Sequence, residues 1–495
     1  MRPHHPRFPY TILSSCPPST AWAMWHTHYW LPTWAAQNVY WRIDVSENVP
    51  SRTVTDLMTR DERVVAGAEK LRFFPLAVAG GRGSTIEEVG GRKLIDFSAT
   101  WTASGLGHGN SQLARAVADA IATGQSSSIL SSTHRAAVEV AELLLELIPA
   151  PKSQENEERR VYLGHAGTDA NDVALRGCRH ATGRRQIIAF TDGYHGGMGL
   201  AQGVSGVHVQ DGAVPAAPNS ELLPYVSAHA DAETLESVLA DVRTRMEGGD
   251  VAAVIVEAIQ SDGGIIVPHQ GFLPGLRKLC DEYGVYLVMD EVKAGLGRTG
   301  RIFAFEESNV VPDVVTLGKA LGAGIPISAA VGPAAVLDEP AASALMTTIG
   351  NAVGCAAALV MLGELRKEWT LENVARSSAR LVEQLATYAN SDRPGASLIA
   401  EIRGRGLMYG LQFTVPQSAR GQFSSALNVA SKVAFRAWQI GLVIYPVGEG
   451  ALELTPSLTI SFEEIDTGIK RLLRAIDDVA NGAVTDEDIA PYLGW

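Results

Sequence analysis

Two short apolar runs that end on residues of opposite charge constrain this chain more than any other feature. Val285 to Met289 (VYLVM) is β-branched and aromatic without a polar break, the pattern of a strand buried on both faces, and it stops on Asp290. Val314 to Leu317 is a second such run and stops on Gly318-Lys319. Gln186 to Phe190 and Val251 to Ile259 repeat the pattern. In the stretches between, Leu235, Val238, Leu239 and Val242, then Phe272, Leu276, Leu279 and Tyr283, keep helical spacing. Strands alternating with helices predict an α/β fold around a mostly parallel sheet. The ligand crevice of such a sheet lies at the carboxyl ends of its strands, so Asp290 and Lys319 are expected to face one cavity.

Taken singly, these two residues would read as a surface lysine and an acidic loop residue. Taken together, with glycines around them, they suit a particular chemistry. Pyridoxal phosphate (PLP) requires a lysine amine for its Schiff base and an acid beside the pyridine nitrogen, which keeps that nitrogen protonated as an electron sink.

Val288-Met289-Asp290-Glu291-Val292, Gly295-Leu296-Gly297-Arg298-Thr299-Gly300, Pro312-Asp313 and Leu317-Gly318-Lys319-Ala320-Leu321-Gly322 together resemble the signature of the class III aminotransferases, fold type I PLP enzymes. The resemblance covers roughly residues 69 to 495. It implies a large domain with a mostly parallel central sheet flanked by helices, and a small α+β domain built from N- and C-terminal segments. The expected divisions are a poorly ordered extension at 1–57, an N-terminal segment of the small domain at 58–110, the large PLP-binding domain at 111–370 and the C-terminal small domain at 371–495.

The same resemblance assigns cofactor contacts. After Tyr162-Leu163 a glycine turn feeds a helix, whose free N–H groups and positive dipole end suit a phosphate, and Gly167 and Thr168 match the family's phosphate cup. On the residues alone, such a turn could equally be a plain N-cap. In Asp192-Gly193-Tyr194-His195-Gly196-Gly197, Tyr194 takes the place of the aromatic that stacks on the cofactor ring. Gln260 would contact the phenolic oxygen, and Val292 is a further cofactor contact. Thr347, in Thr347-Thr348-Ile349-Gly350-Asn351, matches the segment that reaches the phosphate of a neighbouring subunit, which implies a homodimer with a shared site. Ala352 stands where the family usually has proline, so the shape of that loop is left open. Trp101, just before Gly105-Leu106-Gly107-His108-Gly109, is either a core aromatic or a pocket wall.

Composition bounds the partners. Against 54 acidic residues stand 41 basic ones, a net charge of −13, and no Lys/Arg cluster marks a nucleic-acid footprint. No apolar run reaches the ~18 to 20 residues of a membrane span, and no signal-peptide pattern opens the chain. The four cysteines, Cys16, Cys178, Cys280 and Cys355, are far apart, which fits a reducing, cytoplasmic setting. Residues 1 to 57 hold five of the nine tryptophans among Pro, His and Ser without periodicity. A poorly ordered arm, a translation start further along at Met58, or an aromatic docking arm are the readings this composition leaves.

Three positions bear on the reaction. Glu453 aligns with the place where glutamate-using transaminases carry an arginine for the α-carboxylate, and Gly197 stands where many carry a second one. An anion cannot clamp a carboxylate, so a small-molecule substrate lacking a free carboxylate is expected. Gln260-Ser261-Asp262-Gly263-Gly264, Asp290-Glu291-Val292-Lys293, the N-terminal KLRFFPLAVAGGRG and the final Leu493-Gly494-Trp495 resemble the α-amino-ε-caprolactam and amino acid amide racemases. A racemase needs a second acid/base opposite Lys319, and Asp262 is the candidate, with Lys293 tuning or orienting it. The plainer alternative makes Asp262 a structural carboxylate and Lys293 its surface partner. The reaction expected is racemisation of α-amino lactams or amino acid amides. A transaminase using a keto acid is the first alternative, and a non-catalytic scaffold of the same fold the second.

Overall fold

In the computed structural model, which describes residues 53–154, 156–210 and 212–492, seven strands form the central sheet. Their spatial order is Arg159–Gly164, Ser328–Pro333, Val314–Leu317, Tyr286–Asp290, Val251–Glu257, Gln186–Phe190 and Ser220–Leu223. The last five run parallel to one another. Ser328–Pro333 is antiparallel to both its neighbours. All seven residues of Val251–Glu257 are buried, as an unbroken apolar run in a sheet covered on both faces requires. The return helix Phe272–Tyr283 buries Phe272, Leu276 and Leu279, and ends where Gly284 takes a left-handed conformation (φ +59°) that glycine adopts without a Cβ clash.

Two smaller sheets flank this layer. In one, Val78–Arg82, Thr85–Glu88 and Lys93–Asp96 form an antiparallel meander, and Leu442–Val443 adds alongside Lys93–Asp96 in parallel, tying the N-terminal segment to the C-terminal one. The other is antiparallel throughout, in the order Ile399–Arg405, Met408–Phe413, Ala451–Leu454, Tyr445–Val447. The closing helix Phe462–Ala480 starts in a capping box between Ser461 and Glu464 and buries Ile465, Ile469, Leu472 and Ile476. Burial of each of those four contributes roughly 1.5–3 kcal/mol.

The fold is the expected α/β arrangement of fold type I, with three differences in detail. The strand Ser220–Leu223 is not among those read from the sequence; it is a short edge strand with one buried residue in a Gly-, Ala- and Pro-rich stretch, so no apolar run announces it. The strand expected over Val251 to Ile259 ends at Glu257, and the chain then turns through a bridge between Gln260 and Ile266. The helix Val54–Val64, capped by Thr53, crosses the expected 57/58 boundary and buries Met58. Residues 1–52, with the clustered tryptophans and Cys16, and the terminal Leu493-Gly494-Trp495 lie outside the described residues. Cys178, Cys280 and Cys355 are buried free thiols. Among the described residues no helix is long and apolar enough to cross a membrane.

Candidate active site

The strands Val251–Glu257, Tyr286–Asp290 and Val314–Leu317 end around a cavity of about 400 Å³, within the ~300–1,000 Å³ of small-molecule sites. Asp290 and Lys319 both line it, together with Gly167, Thr168, Tyr194 and Val292. Lys319 follows Gly318 into a short turn and holds a left-handed backbone (φ +42°), a strained conformation for a lysine. Its Nζ stands 5.9 Å from the Tyr194 ring centroid. Burial depresses the amine below its ordinary value, and the charge of Lys293 depresses it further.

Asp290 is fixed on both oxygens. Its Oδ1 accepts from the Val292 N–H at 3.0 Å, and its Oδ2 meets Asn171 Nδ2 and His195 Nδ1, each at 2.8 Å. Asn171 is itself held, since Thr316 Oγ1 donates to its Oδ1 and its Nδ2 also reaches the His195 carbonyl. One carboxylate edge is thereby set by a strand, a helix and a loop at once.

The turn at Gly167 is built for close approach. The helix Gly167–Thr182 begins there, so its first N–H groups have no partner within the helix. A Cβ on Gly167 would lie 2.6 Å from Val292 Cγ1. Asp169 pins the turn from behind, accepting from the N–H groups of His165 and Ala166 and from Ser328 Oγ. These are the properties of an anion cradle, and with the Lys319–Asp290 pair across the same cavity the residues fit a phosphorylated pyridine.

Other expected residues lie around this centre. Gln260 is buried outside the cavity lining, with Nε2 donating 2.7 Å to the Thr191 carbonyl. Thr347 is exposed, in the segment before the helix Ala352–Leu365; that helix starts at Ala352 with Asn351 as its cap, and the Ala352 N–H donates 3.3 Å to the Ser126 carbonyl, a bond that a proline at this first-turn position would lack. Next to it, Thr348 Oγ1 bonds His165 Nε2 at 2.8 Å.

Lys293 is a buried residue of the cavity wall and no surface partner. Its Nζ lies 2.9 Å from Asp262 Oδ1 and 2.6 Å from Glu453 Oε2, and 5.0 Å from the Trp101 ring centroid. Glu453, expected in the substrate pocket, is 1% exposed and stands behind Lys293, its Oε1 accepting from Thr455 Oγ1. Burial would raise the Asp262 carboxyl, but Lys293 and then Lys319 outweigh it and hold the group below the usual carboxylate range. Burial would lower the Lys293 amine, but Asp262 and Glu453 outweigh it and raise it. Trp101 stacks on Tyr445 with centroids 4.8 Å apart and planes 21° from parallel. It is carried on four consecutive left-handed residues, Ala99 to Thr102, a turn braced by Asp96, whose Oδ1 accepts from the N–H groups of Ser98 and Ala99.

Sequence reasoning did not assign roles to Asn171, His195, Glu257 or Ser261. His195 stood beside Tyr194 in the quoted motif, and Glu257 was the one acid within an apolar run; Asn171 gave no signal, since its partners come from distant segments.

The family model for aminotransferase class-III matches residues 66–476, and the chain belongs to that family of PLP enzymes. It is 29% identical to a leucine/methionine racemase of Thermococcus litoralis, over 89% of this chain and 99% of the relative. It is 32% identical to an acetylornithine aminotransferase of Corynebacterium efficiens, over 82% and 93%. Among solved structures, a transaminase from the marine bacterium Virgibacillus superposes with a TM-score of 0.77 at 24% identity, covering 87% of this chain and all of the other. Amino acid racemases and aminotransferases are thus both among its relatives, and pyridoxal phosphate is its cofactor.

Proposed function

We propose that this enzyme racemises α-amino lactams or amino acid amides by two-base exchange of the α-proton. The observation that carries the reading is the buried Asp262–Lys293–Glu453 chain: it holds the Asp262 carboxylate 2.9 Å from Lys293 of the cavity wall, and it includes Glu453, which by resemblance stands where a transaminase carries a substrate-clamping arginine. No arginine is among the described residues lining the cavity. The likeness to a leucine/methionine racemase supports the reaction class.

The Gly167 and Thr168 N–H groups would hold the phosphate, with Thr347 of a second copy completing the site in a homodimer. Asp290 would hold the pyridine nitrogen, Tyr194 and Val292 would cover the ring, and Gln260 would reach the phenolic oxygen. When bound, the cofactor supplies an electron sink that makes the substrate α-proton acidic. For one enantiomer the Asp262 carboxylate, held ionised by Lys293, would take that proton on its face while Lys319 Nζ, as the ammonium, returns one on the other; this leaves a protonated Asp262 and a neutral Lys319, the pair that converts the opposite enantiomer. Lys293 orients the Asp262 carboxylate, and Trp101 bounds the space for the substrate side chain. The divisions at 58–110, 111–370 and 371–495 and a cytoplasmic setting, in keeping with the buried free thiols, belong to the same reading.

Transamination is the second reading, favoured by the 32% identity to an acetylornithine aminotransferase. One enantiomer of α-amino-ε-caprolactam, incubated in deuterated water without any keto acid, should yield both enantiomers with deuterium at the α-carbon. Turnover only after a keto acid is added would overturn the racemase reading. Racemisation of free leucine in preference to its amide would overturn the substrate class alone.

A further inference from the structure

Glu257 is a buried acid of the cavity wall to which the mechanism above gives no part. It ends the strand Val251–Glu257 in direct register with Asp290 on the neighbouring parallel strand, so two carboxylates stand side by side on one face of the sheet. The partners differ. Asp290 meets Asn171 and His195, whereas the donors to the Glu257 carboxylate among the described residues are backbone N–H groups and a hydroxyl. Its Oε2 takes the Tyr194 N–H at 3.1 Å; its Oε1 takes the Ser261 N–H at 3.1 Å and the Ser261 hydroxyl at 2.7 Å.

Those donors belong to the two segments that frame the chemistry. Tyr194 carries the aromatic wall of the cofactor site, and Ser261 immediately precedes Asp262. The two backbone N–H groups approach different oxygens of one side chain, a demand that a carboxyl group meets and a carboxamide, with a single acceptor oxygen, does not. The serine hydroxyl adds a property that a backbone donor lacks: it can rotate to accept. With Glu257 protonated on Oε1, the proton points at Ser261 Oγ and both N–H bonds survive.

We infer that Glu257 is a positioning residue that ties the Tyr194 wall to the Asp262 turn, and that it holds an exchangeable proton next to Asp290. The inference rests on the placement of Tyr194 and Asp262 given above and not on the choice between racemase and transaminase. The ionisable groups that face Glu257 are Asp290 from the adjacent strand, His195 from the Tyr194 loop, Asp262 from its own turn and Tyr225, whose hydroxyl donates to the Glu257 carbonyl. Burial is the largest influence on the carboxyl and pushes it up to about 7, with Asp290 and Asp262 adding to the rise against His195 and the Ser261 bond.

The test is the visible circular dichroism of the PLP-loaded enzyme from pH 5.5 to 9, recorded beside turnover. Wild type should show a single-proton change near neutrality. Glu257→Gln should keep its cofactor and its melting transition, lose that pH-dependent change, show altered ellipticity from a displaced Tyr194, and lose up to about 100-fold in kcat/KM. Ser261→Ala removes one donor to the ionised form and should move the midpoint to higher pH, a readout available even if Glu257→Gln fails to fold. A Glu257→Gln enzyme with wild-type ellipticity, titration and turnover would overturn the inference, and so would an unmoved midpoint in Ser261→Ala. Failure of racemisation in wild type, with these optical changes intact, would count against the proposed reaction and leave this inference standing.

Discussion

The Lys293 ammonium stands 2.6 Å from the Glu453 carboxylate, joining the loop after the central strand Tyr286–Asp290 to the strand Ala451–Leu454 of the C-terminal sheet. Asp262 completes the chain at 2.9 Å, so one buried cation serves two carboxylates. Lys293→Met would leave both without their buried counter-charge, Glu453 keeping, among the described residues, only the Thr455 hydroxyl. It should destabilise the protein by about 3–5 kcal/mol, read from the denaturant midpoint, whereas the double variant Lys293→Met/Glu453→Gln should recover part of that loss. An unchanged midpoint in Lys293→Met would show that the pair is solvated and structurally idle.

The same charge fixes a pH effect. Lys293 is the main influence holding the Asp262 carboxyl down against burial, so its removal leaves burial dominant and the carboxyl rises. In wild type the depressed group stabilises the fold above the ordinary value of ~3.9 and loses that contribution as pH falls through the depressed one. In Lys293→Met the raised carboxyl has the opposite sign, its buried charge being relieved on protonation, so the stability gap to wild type should narrow as pH falls through the acid range, read from denaturant midpoints at several pH values. The acid limb of its residual turnover should shift to higher pH.

Glu291 works with the opposite sign. Its carboxylate accepts from the Ala304 and Phe305 N–H groups, and burial pushes it up to about 8. Between ~4.3 and about 8 the folded state binds the extra proton, so this group makes stability fall as pH rises through that window, by up to ~1.4 kcal/mol per pH unit. Glu291→Gln offers one acceptor for two N–H groups and should be less stable than wild type at acid pH, with a flatter slope between pH 5 and 8, so the difference shrinks as pH rises. Chemical denaturation at several pH values measures both.

The parts of this site that the sequence disclosed are those written in contiguous residues. Val285 to Asp290 and Val314 to Lys319 read as buried strands ending on charged groups because their apolar runs are unbroken, and the Gly167 turn reads locally as the start of a helix. What stayed hidden is assembled through space. Asn171 meets Asp290 across 119 positions, and Lys293 meets Glu453 across 160. Glu453 could be read as hostile to a carboxylate, but only the fold turns it into the second partner of Lys293. The left-handed run Ala99 to Thr102 has no glycine to announce it; long-range bonds, such as Thr455 N–H to the Phe97 carbonyl, help fix its start. The edge strand Ser220–Leu223 lacks an apolar run because only one of its residues needs to be buried.

Gly167→Ala tests the cradle. The new Cβ would press on Val292 Cγ1 at 2.6 Å and on Cγ2 at 2.7 Å, and the β-branched side chain has little room to rotate away. Overpacking of this kind costs roughly 1–3 kcal/mol. The variant should lose bound cofactor on dialysis faster than wild type, followed by the visible absorbance of the protein fraction.

Thr347 yields a prediction about assembly. It is exposed on a single chain yet matches a segment that reaches a neighbour's phosphate, so the PLP-loaded enzyme should sediment as at least a dimer. Thr347→Ala should bind the cofactor more weakly without changing sedimentation. A fully active monomer at assay concentration would exclude a shared site.

Lys319→Ala and Asp262→Asn together separate two bases from one. Among the described residues lining the cavity Lys319 is the only lysine besides Lys293, and Lys293 is committed to two carboxylates, so Lys319→Ala should fold, lose its covalently held chromophore and show no turnover. Asp262→Asn keeps Lys319 and should keep the chromophore, while racemisation falls by ~10²- to 10⁴-fold, the range of a lost general acid/base. The proposed two-base exchange has a finer consequence. With only Lys319 left, the enantiomer whose α-proton faces it should still exchange that proton for deuterium and return to its own configuration; the other enantiomer, whose proton faces the asparagine, should remain unlabelled. Proton NMR of each enantiomer in deuterated water measures this directly. Equal labelling of both enantiomers by Asp262→Asn would mean that the second-face proton comes from another group, and that Asp262 serves only to hold Lys293.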